Sequence, residues 1–352
     1  MRGMNVGILL ALLSAALFGA STPLAKFMLG NVDPWMLAGL LYLGAGLGLG
    51  VVHLARSALR LPTVEAPLRR SDLPWLLCVI VTGGILGPLF LMFGLARTDA
   101  AGASLLLNLE GLATMGIAWL AFRENVDRRL LLGAFAILAG AALLSWEGRA
   151  SLEWSAALIV AACVCWGIDN NLTRKLSSAD PVQIAMLKGL VAGSFNLTLA
   201  LARGAVMPDP GTILAAGIVG LFGYGVSIAL FVLGLRHLGT ARTGAYFSLA
   251  PFIGALLALT LLDEPLTFRL VAAGGLMGIG LWLHLTERHS HSHTHEALAH
   301  EHKHAHDEHH QHQHGPDDPA GEPHSHFHRH RPLVHRHPHY PDLHHRHDHT
   351  RA

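Results

Sequence analysis

Ten apolar stretches, each near the length of a membrane-crossing helix, fill residues 4–286 and leave little room for a water-soluble fold. A helix rising 1.5 Å per residue needs about 20 mostly apolar residues to cross roughly 30 Å of hydrocarbon. The stretches run 5–28, 34–55, 73–95, 100–122, 130–147, 154–173, 181–202, 211–235, 241–262 and 269–286. Only 14% of the 352 residues are charged, against roughly 25% in soluble domains, as suits a surface that faces lipid. The lipid interior offers no water to backbone N–H and C=O groups, so helices are the open-ended way across. The first run, Val6 to Met28, exceeds a signal-peptide core and is read as a retained span. The expectation is an all-α polytopic membrane protein with ten transmembrane helices.

The punctuation between spans agrees. Asp33-Pro34, Asp180-Pro181 and Asp209-Pro210 read as helix starts, with a capping carboxylate followed by a proline that fits the first turn. Glycines such as Gly44, Gly46, Gly48, Gly50, Gly189 and Gly193 let helices approach closely in lipid. Basic residues collect on the cytoplasmic side of membrane proteins. An inside N-terminus places twelve of them there, from Arg2 through Arg56, Arg128 and Lys175 to Arg242. Five (Lys26, Arg97, Arg149, Arg203, Arg269) fall on the other side. Both termini are therefore expected in the cytoplasm, with the chain in the inner, cell membrane. A net charge of +1 gives no reason to expect a nucleic-acid partner, and Cys78, Cys163 and Cys165 sit in apolar runs as packing thiols rather than disulfide partners.

The chain repeats itself. A shift of 140 positions superposes Gly94-Leu95 on Gly234-Leu235, Leu109 on Leu249, Glu124 on Glu264, Arg129-Leu130 on Arg269-Leu270 and Gly140 on Gly280. The halves are 1–147 and 152–286, and 287–352 form a tail. Five spans per half force the second to insert upside down. Inverted repeats of this kind carry substrate near the midplane between the halves.

Gly19 and Lys26, matched by Trp166-Gly167 and Arg174-Lys175, together with Glu124, Gly133 and Gly140, matched by Glu264, Gly274 and Gly280, resemble the EamA-like branch of the drug/metabolite transporter superfamily. The resemblance covers residues 5–286. It implies ten helices, both ends inside, and export of amino acids or other small metabolites. The family carries a basic residue about seven positions past the Asp-Pro; the second half has Lys188 there, whereas the first departs with Leu41. The tail lies outside the resemblance.

An ionisable side chain at a helix centre in lipid costs at least ~2.5–3.5 kcal/mol, so it faces a cavity or a partner. Glu110 lies mid-span in Leu107-Asn108-Leu109-Glu110-Gly111, with Ala250 as its repeat equivalent, and Lys188 lies a third of the way into the seventh span. Two kinds of role are open to them: gripping the charged ends of a zwitterion or carrying a coupling proton, or forming a structural ion pair or a hydrogen-bonded interhelical contact. Asp169, Asn170 and Asn171 either contact a polar substrate or cap a broken helix. Asn108, Asn196 and Tyr246 are further substrate candidates, with interhelical hydrogen bonding as the other role of each. Glu124 and Glu264 read as anchors for loops or for neighbours such as Arg128 and Arg269. Pro23, Pro88 and Pro251 read as helix kinks.

Only His53, His237 and His284 of the 26 histidines precede Glu287, which leaves 23 in the tail. His291, His293, His295, His302, His304, His306, His309, His310, His312 and His314 form one block. His324, His326, His328 and His330 open a second, beyond a Pro- and Gly-rich joint. With no apolar core the tail is expected to be disordered. Neutral imidazoles ligate Zn, Ni, Co and Cu, so the tail is expected to bind a divalent transition metal. Its other reading is a solubilising, pH-sensitive appendage.

Together these features point to a secondary exporter of small polar metabolites, working by alternating access in the bilayer. Transport requires no cofactor, and proton coupling is open. The alternative is an exporter of a transition metal ion or metal complex, with the tail as collector or sensor. The chain lacks His-Glu-x-x-His, Gly-x-Ser-x-Gly and nucleotide-binding loops, which removes the expectation of an enzyme or a self-contained ATP-driven pump.

Overall fold

A computed structural model describes residues 2–59, 68, 70–122, 128–145, 154–173, 176, 180–238 and 240–286. In the tail it describes 289–295, 299–304, 324–329 and 333–339. The body is helical throughout: α1 Arg2–Leu29, α2 Pro34–Ala58, α3 Leu73–Val79, α4 Gly87–Leu95, α5 Ala100–Leu106, α6 Leu109–Phe122 and α7 Arg128–Ser145, then α8 Trp154–Thr173, α9 Pro181–Ala202, α10 Pro210–Gly220, α11 Ser227–Leu238, α12 Thr240–Phe247, α13 Ala250–Leu261 and α14 Phe268–Leu285. Among the described residues nine helical runs are long and apolar enough to cross a membrane. The expected span 241–262 is instead broken at Ser248-Leu249 into α12 and α13, each too short alone. Pro251 in the first turn of α13 has no N–H to continue a helix across that break.

The caps form as the sequence demands. Asp33 accepts from the amides of Trp35 and Met36 at 2.9 and 3.2 Å, and Asp180 from Val182 at 2.9 Å. Asp209 accepts from the amides of Gly211 and Thr212, and the Thr212 hydroxyl and these N–H groups hold its carboxyl below the usual range.

Glycine sets the helix packing. On α2 one glycine row faces α9 and another faces α10. A Cβ on Gly189 would stand 2.6 Å from the Gly46 nitrogen, and one on Gly39 would stand 2.7 Å from that of Leu197. Gly44 meets Gly217 of α10. At the far end α7 lies on α14, where a Cβ on Gly280 would stand 2.6 Å from the Gly133 carbonyl. These contacts follow the repeat: α2 packs on α9 and α7 on α14, while α1 packs on α11 and α13 as α8 packs on α4 and α6. Reciprocal bonds between Ser14 and Ser227 (2.7 and 3.0 Å) tie α1 to α11 where lipid supplies no hydrophobic drive.

Two helical irregularities recur at the same spacing. The segments Ile80–Leu86 and Leu221–Val226 are wound as π-helix, and the chain breaks at Leu107-Asn108 and again at Ser248-Leu249. Such backbone survives at membrane depth only where protein buries it or where it lines a cavity. All four interruptions lie in the third, fourth, eighth and ninth expected spans. Pro88 therefore opens a new helix after a π-segment, and Pro23 lies within a continuous α1.

The tail departs from the structureless chain expected of it. Its backbone pairs as two antiparallel ribbons, β1 His289–His295 with β4 Leu333–His339 and β2 Ala299–His304 with β3 His324–Arg329. The His-x-His alternation has the period of a strand, which lets backbone ladders form without an apolar core. Two-stranded ribbons are marginal on their own.

Gly189→Val should lower the unfolding temperature of the detergent-purified protein through overpacking worth about 1–3 kcal/mol. Gly217→Ala should be tolerated, because its own Cβ would meet nothing within 4 Å. Thermal melts followed by tryptophan fluorescence read both.

Candidate functional site

The π-segment of the third span creates the polar centre. A π-turn shifts the i→i−4 ladder and leaves a carbonyl open to outside donors. The Gly83 carbonyl takes two of them: the Tyr42 hydroxyl from α2 at 2.8 Å and the Trp166 indole N–H from α8 at 3.1 Å. Gly83 also has no side chain because there is no room for one. A Cβ there would run into the Asp169 carboxylate and the Lys188 ammonium. Gly84 makes space for the Lys188 stem, and Gly87 for the Trp166 ring.

Lys188 of α9 and Asp169 of α8 form an ion pair beside this point, their side chains 14% and 8% exposed. Asp169 also accepts from Thr173 one turn on, at 3.4 Å. The next residue, Asn170, donates to the Glu110 carboxylate at 3.0 Å and to the Thr114 hydroxyl at 3.2 Å, both on α6. Asn171 donates to the carbonyls of Thr114 and Gly167 at 3.0 and 2.8 Å. Three consecutive residues of α8 thus bind α9 on one side and α6 on the other. Space is open along α6, where a Cβ at Gly111 or Gly116 would meet nothing within 4 Å.

An aromatic group adjoins the pair. Tyr42 lies 5.4 Å from Tyr224, which sits in the second π-segment, and Tyr224 meets Phe18 edge-on at 5.9 Å. Phe247 of α12 closes on Phe18 and Phe231 at 5.3 and 4.9 Å. Tyr42 therefore touches the π-segments of both halves.

Of the eight body residues singled out from sequence, five converge here: Glu110, Asp169, Asn170, Asn171 and Lys188. The partners differ from the simplest expectation, since Lys188 pairs with Asp169 and Glu110 binds Asn170. Asn108 instead donates to the Leu105 carbonyl of its own span at 2.9 Å and approaches the Met277 sulfur at 3.8 Å. It closes the break at Leu107-Asn108. Tyr246, half-buried on α12, joins none of these polar contacts. Asn196 is fully buried with no hydrogen-bond partner among the described residues, so it is not the interhelical tie expected. Glu264 anchors a loop through backbone amides rather than pairing with Arg269; Glu124 lies outside the described residues. Tyr42, Trp166 and Gly83 had no role assigned from sequence. The closely spaced Gly83, Gly84 and Gly87 in an apolar span were the available signal.

No group of three or more His, Cys, Asp or Glu able to hold a metal ion occurs among the described residues. The expected ligands His291, His293, His295, His302, His304, His324, His326 and His328 lie on strands described by backbone alone. His306, His309, His310, His312, His314 and His330 lie outside the described residues.

The pattern of the EamA-like transporter family matches residues 5–146 and again 153–286. The chain belongs to the EamA-like transporter family. It is an integral, multi-pass membrane protein that carries small molecules and is not an enzyme. An uncharacterized transporter of Methanothermobacter thermautotrophicus is 30% identical over 281 residues, 76% of this chain and 82% of that one. A Salmonella typhimurium protein named "Probable amino-acid metabolite efflux pump" is 26% identical over 300 residues, 78% of this chain and 93% of that one. A solved crystal structure 19% identical aligns with a TM-score of 0.59 over 81% of this chain and 99% of that one, which shows a shared fold.

Removing one partner of a buried ion pair leaves an uncompensated charge, at a cost of about 3–5 kcal/mol. Asp169→Asn and Lys188→Gln should each lower thermal stability in detergent more than the double variant does. Additive losses would show that the two groups do not depend on each other. Gly83→Ala should lower stability as well, since its methyl meets the pair head-on.

Proposed function

We propose that this EamA-like transporter exports a small zwitterionic metabolite of the amino-acid kind, by alternating exposure of a central site. The observation that carries the reading is the Asp169–Lys188 pair with the Glu110–Asn170 contact one residue along, set where interrupted spans meet. A buried carboxylate and ammonium that hold each other can be exchanged for the ammonium and carboxylate of an amino acid. Each charge then keeps a partner throughout, which removes the cost of an empty charged cavity. Glu110, held by an amide rather than a cation, is free to carry a proton or a second contact. The aromatic group around Tyr42 and Tyr224 would take the apolar part of the cargo. The name of the Salmonella relative supports the same cargo class.

Ten spans in two inverted halves, 1–147 and 152–286, complete the mechanism. The recurrence of π-segments, breaks and packing partners at the repeat spacing supports this arrangement. Rocking the halves about the central group would expose it to each face in turn. The bias of basic residues supports a cytoplasmic N-terminus and, with an even number of spans, a cytoplasmic tail in the inner membrane. There the 23 imidazoles of 287–352 would bind Zn, Ni, Co or Cu as a buffer or regulator.

In cells loaded with dipeptides, the intact chain should raise release of the resulting free amino acids above the vector control. Lys188→Ala and Asp169→Asn should abolish that release, and Glu110→Gln should change its dependence on the proton gradient. Unchanged release in all three variants would remove the central group from the pathway. Under metal load, cells with the full chain should hold more Zn, Ni, Co or Cu than those with a chain ending at Glu287, by elemental mass spectrometry. A shortened chain that still depletes one metal below vector would make that metal the cargo.

A further inference from the structure

A cavity of about 710 Å³ opens at one end of the helical body, between the end of α1, the 96–102 turn, the start of α8 and the loop leading into α14. It is separate from the central group. Ala156 on its wall and Asp169 at the centre lie thirteen positions apart on α8, about 20 Å along the axis.

Charge accounting distinguishes it. Lys26, Arg97 and Arg269 line it together with Asp99 and Glu264. Both acids are already committed to backbone amides. Glu264 accepts from Ala100 at 2.7 Å with one oxygen and from Ala101 at 2.8 Å with the other, and Asp99 accepts from Gly102 at 2.5 Å. Lys26 donates to the Leu95 carbonyl at 2.8 Å. Arg97 and Arg269 are left with no carboxylate partner among the described residues. Two exposed guanidiniums thus flank a cavity whose floor includes the apolar side chains of Leu106, Leu144, Ala156 and Leu270. Guanidinium forks bind carboxylate and phosphate oxygens bidentately, and the volume falls in the range of small-molecule sites.

We propose that this cavity binds an organic anion by its acidic head group, gripped by Arg97 and Arg269, with the apolar part of the ligand on the Leu106–Leu144–Leu270 floor. The head group can belong to a free organic acid or to an anionic lipid reaching in from the bilayer. Neither source needs the central group, so the site stands or falls separately from the transport reading.

The test uses the full chain in phosphatidylcholine nanodiscs, with radiolabelled hexanoate as probe, equilibrium dialysis as readout and empty nanodiscs as blank. The wild type should bind hexanoate, and Arg97→Gln/Arg269→Gln should bind it at least about tenfold more weakly, the equivalent of one charge-assisted hydrogen bond. Arg97→Lys/Arg269→Lys should fall between, because charge is kept and the fork is lost. Gly217→Ala, at a position with room for the methyl, should bind as the wild type does. If phosphatidylglycerol nanodiscs abolish hexanoate binding in the wild type, anionic lipid is the natural occupant of the same site. Equal binding by wild type and the Gln variant, with unchanged melting temperatures, would overturn the proposal. So would the absence of saturable binding above the blank.

Discussion

The carbonyl of Gly83 is the point on which the centre of this protein depends. In lipid an unpaired backbone oxygen is expensive, so a π-segment in the third span obliges neighbouring helices to supply donors. Tyr42 and Trp166 supply them, and in doing so draw α2 and α8 onto the same spot. Trp166 fixes the rotation of α8, which in turn aims Asp169 toward α9 and Asn170 toward α6. The missing Cβ at Gly83 then admits the ion pair. Local backbone irregularity, close packing and charge placement are one arrangement here.

The same logic explains why the polar centre coexists with a very apolar chain. Close approach through Gly39, Gly46 and Gly189 brings α2 and α9 near enough for backbone to touch backbone, in a medium where burying leucine gains little. Interrupted helices sit inside that framework, with Gly83, Gly84, Gly223, Tyr224 and Gly225 buried in protein and Val81, Phe222 and Leu249 exposed. Positions matched by the 140-residue shift of the sequence differ in chemistry: Ala250 stands opposite Glu110, and Tyr224 opposite Gly84.

Most of the architecture was legible in the sequence because lipid imposes a coarse code. Span length, Asp-Pro caps and the repeated glycines follow from hydrocarbon thickness and helix geometry, and each recurs in the structure. The break in 241–262 was not legible, since apolar composition continues across Ser248-Leu249 and only Pro251 hints at it. Glu110 and Lys188 stood out because charge in lipid is conspicuous. Which residues they would pair with did not, because pairing depends on helix rotation, which the eighteen residues between Asp169 and Lys188 do not encode locally. Gly83 was hidden for a related reason: its contribution is a carbonyl and an empty volume, neither of which residue type reveals. In the tail, His-x-His alternation is ambiguous between solvated chain and strand, and the structure pairs its backbone.

Whether the polar face of α8 borders an aqueous path through the membrane is decided most directly by reactivity at Asn170. With Cys78, Cys163 and Cys165 replaced by alanine, a single Asn170→Cys side chain in proteoliposomes is exposed to a membrane-impermeant, charged methanethiosulfonate reagent. An alternating central site predicts modification from the aqueous phase, slowed by a transported amino acid. A thiol that resists the charged reagent from both faces, yet reacts with a lipid-soluble maleimide, would place this face against lipid and contradict the account.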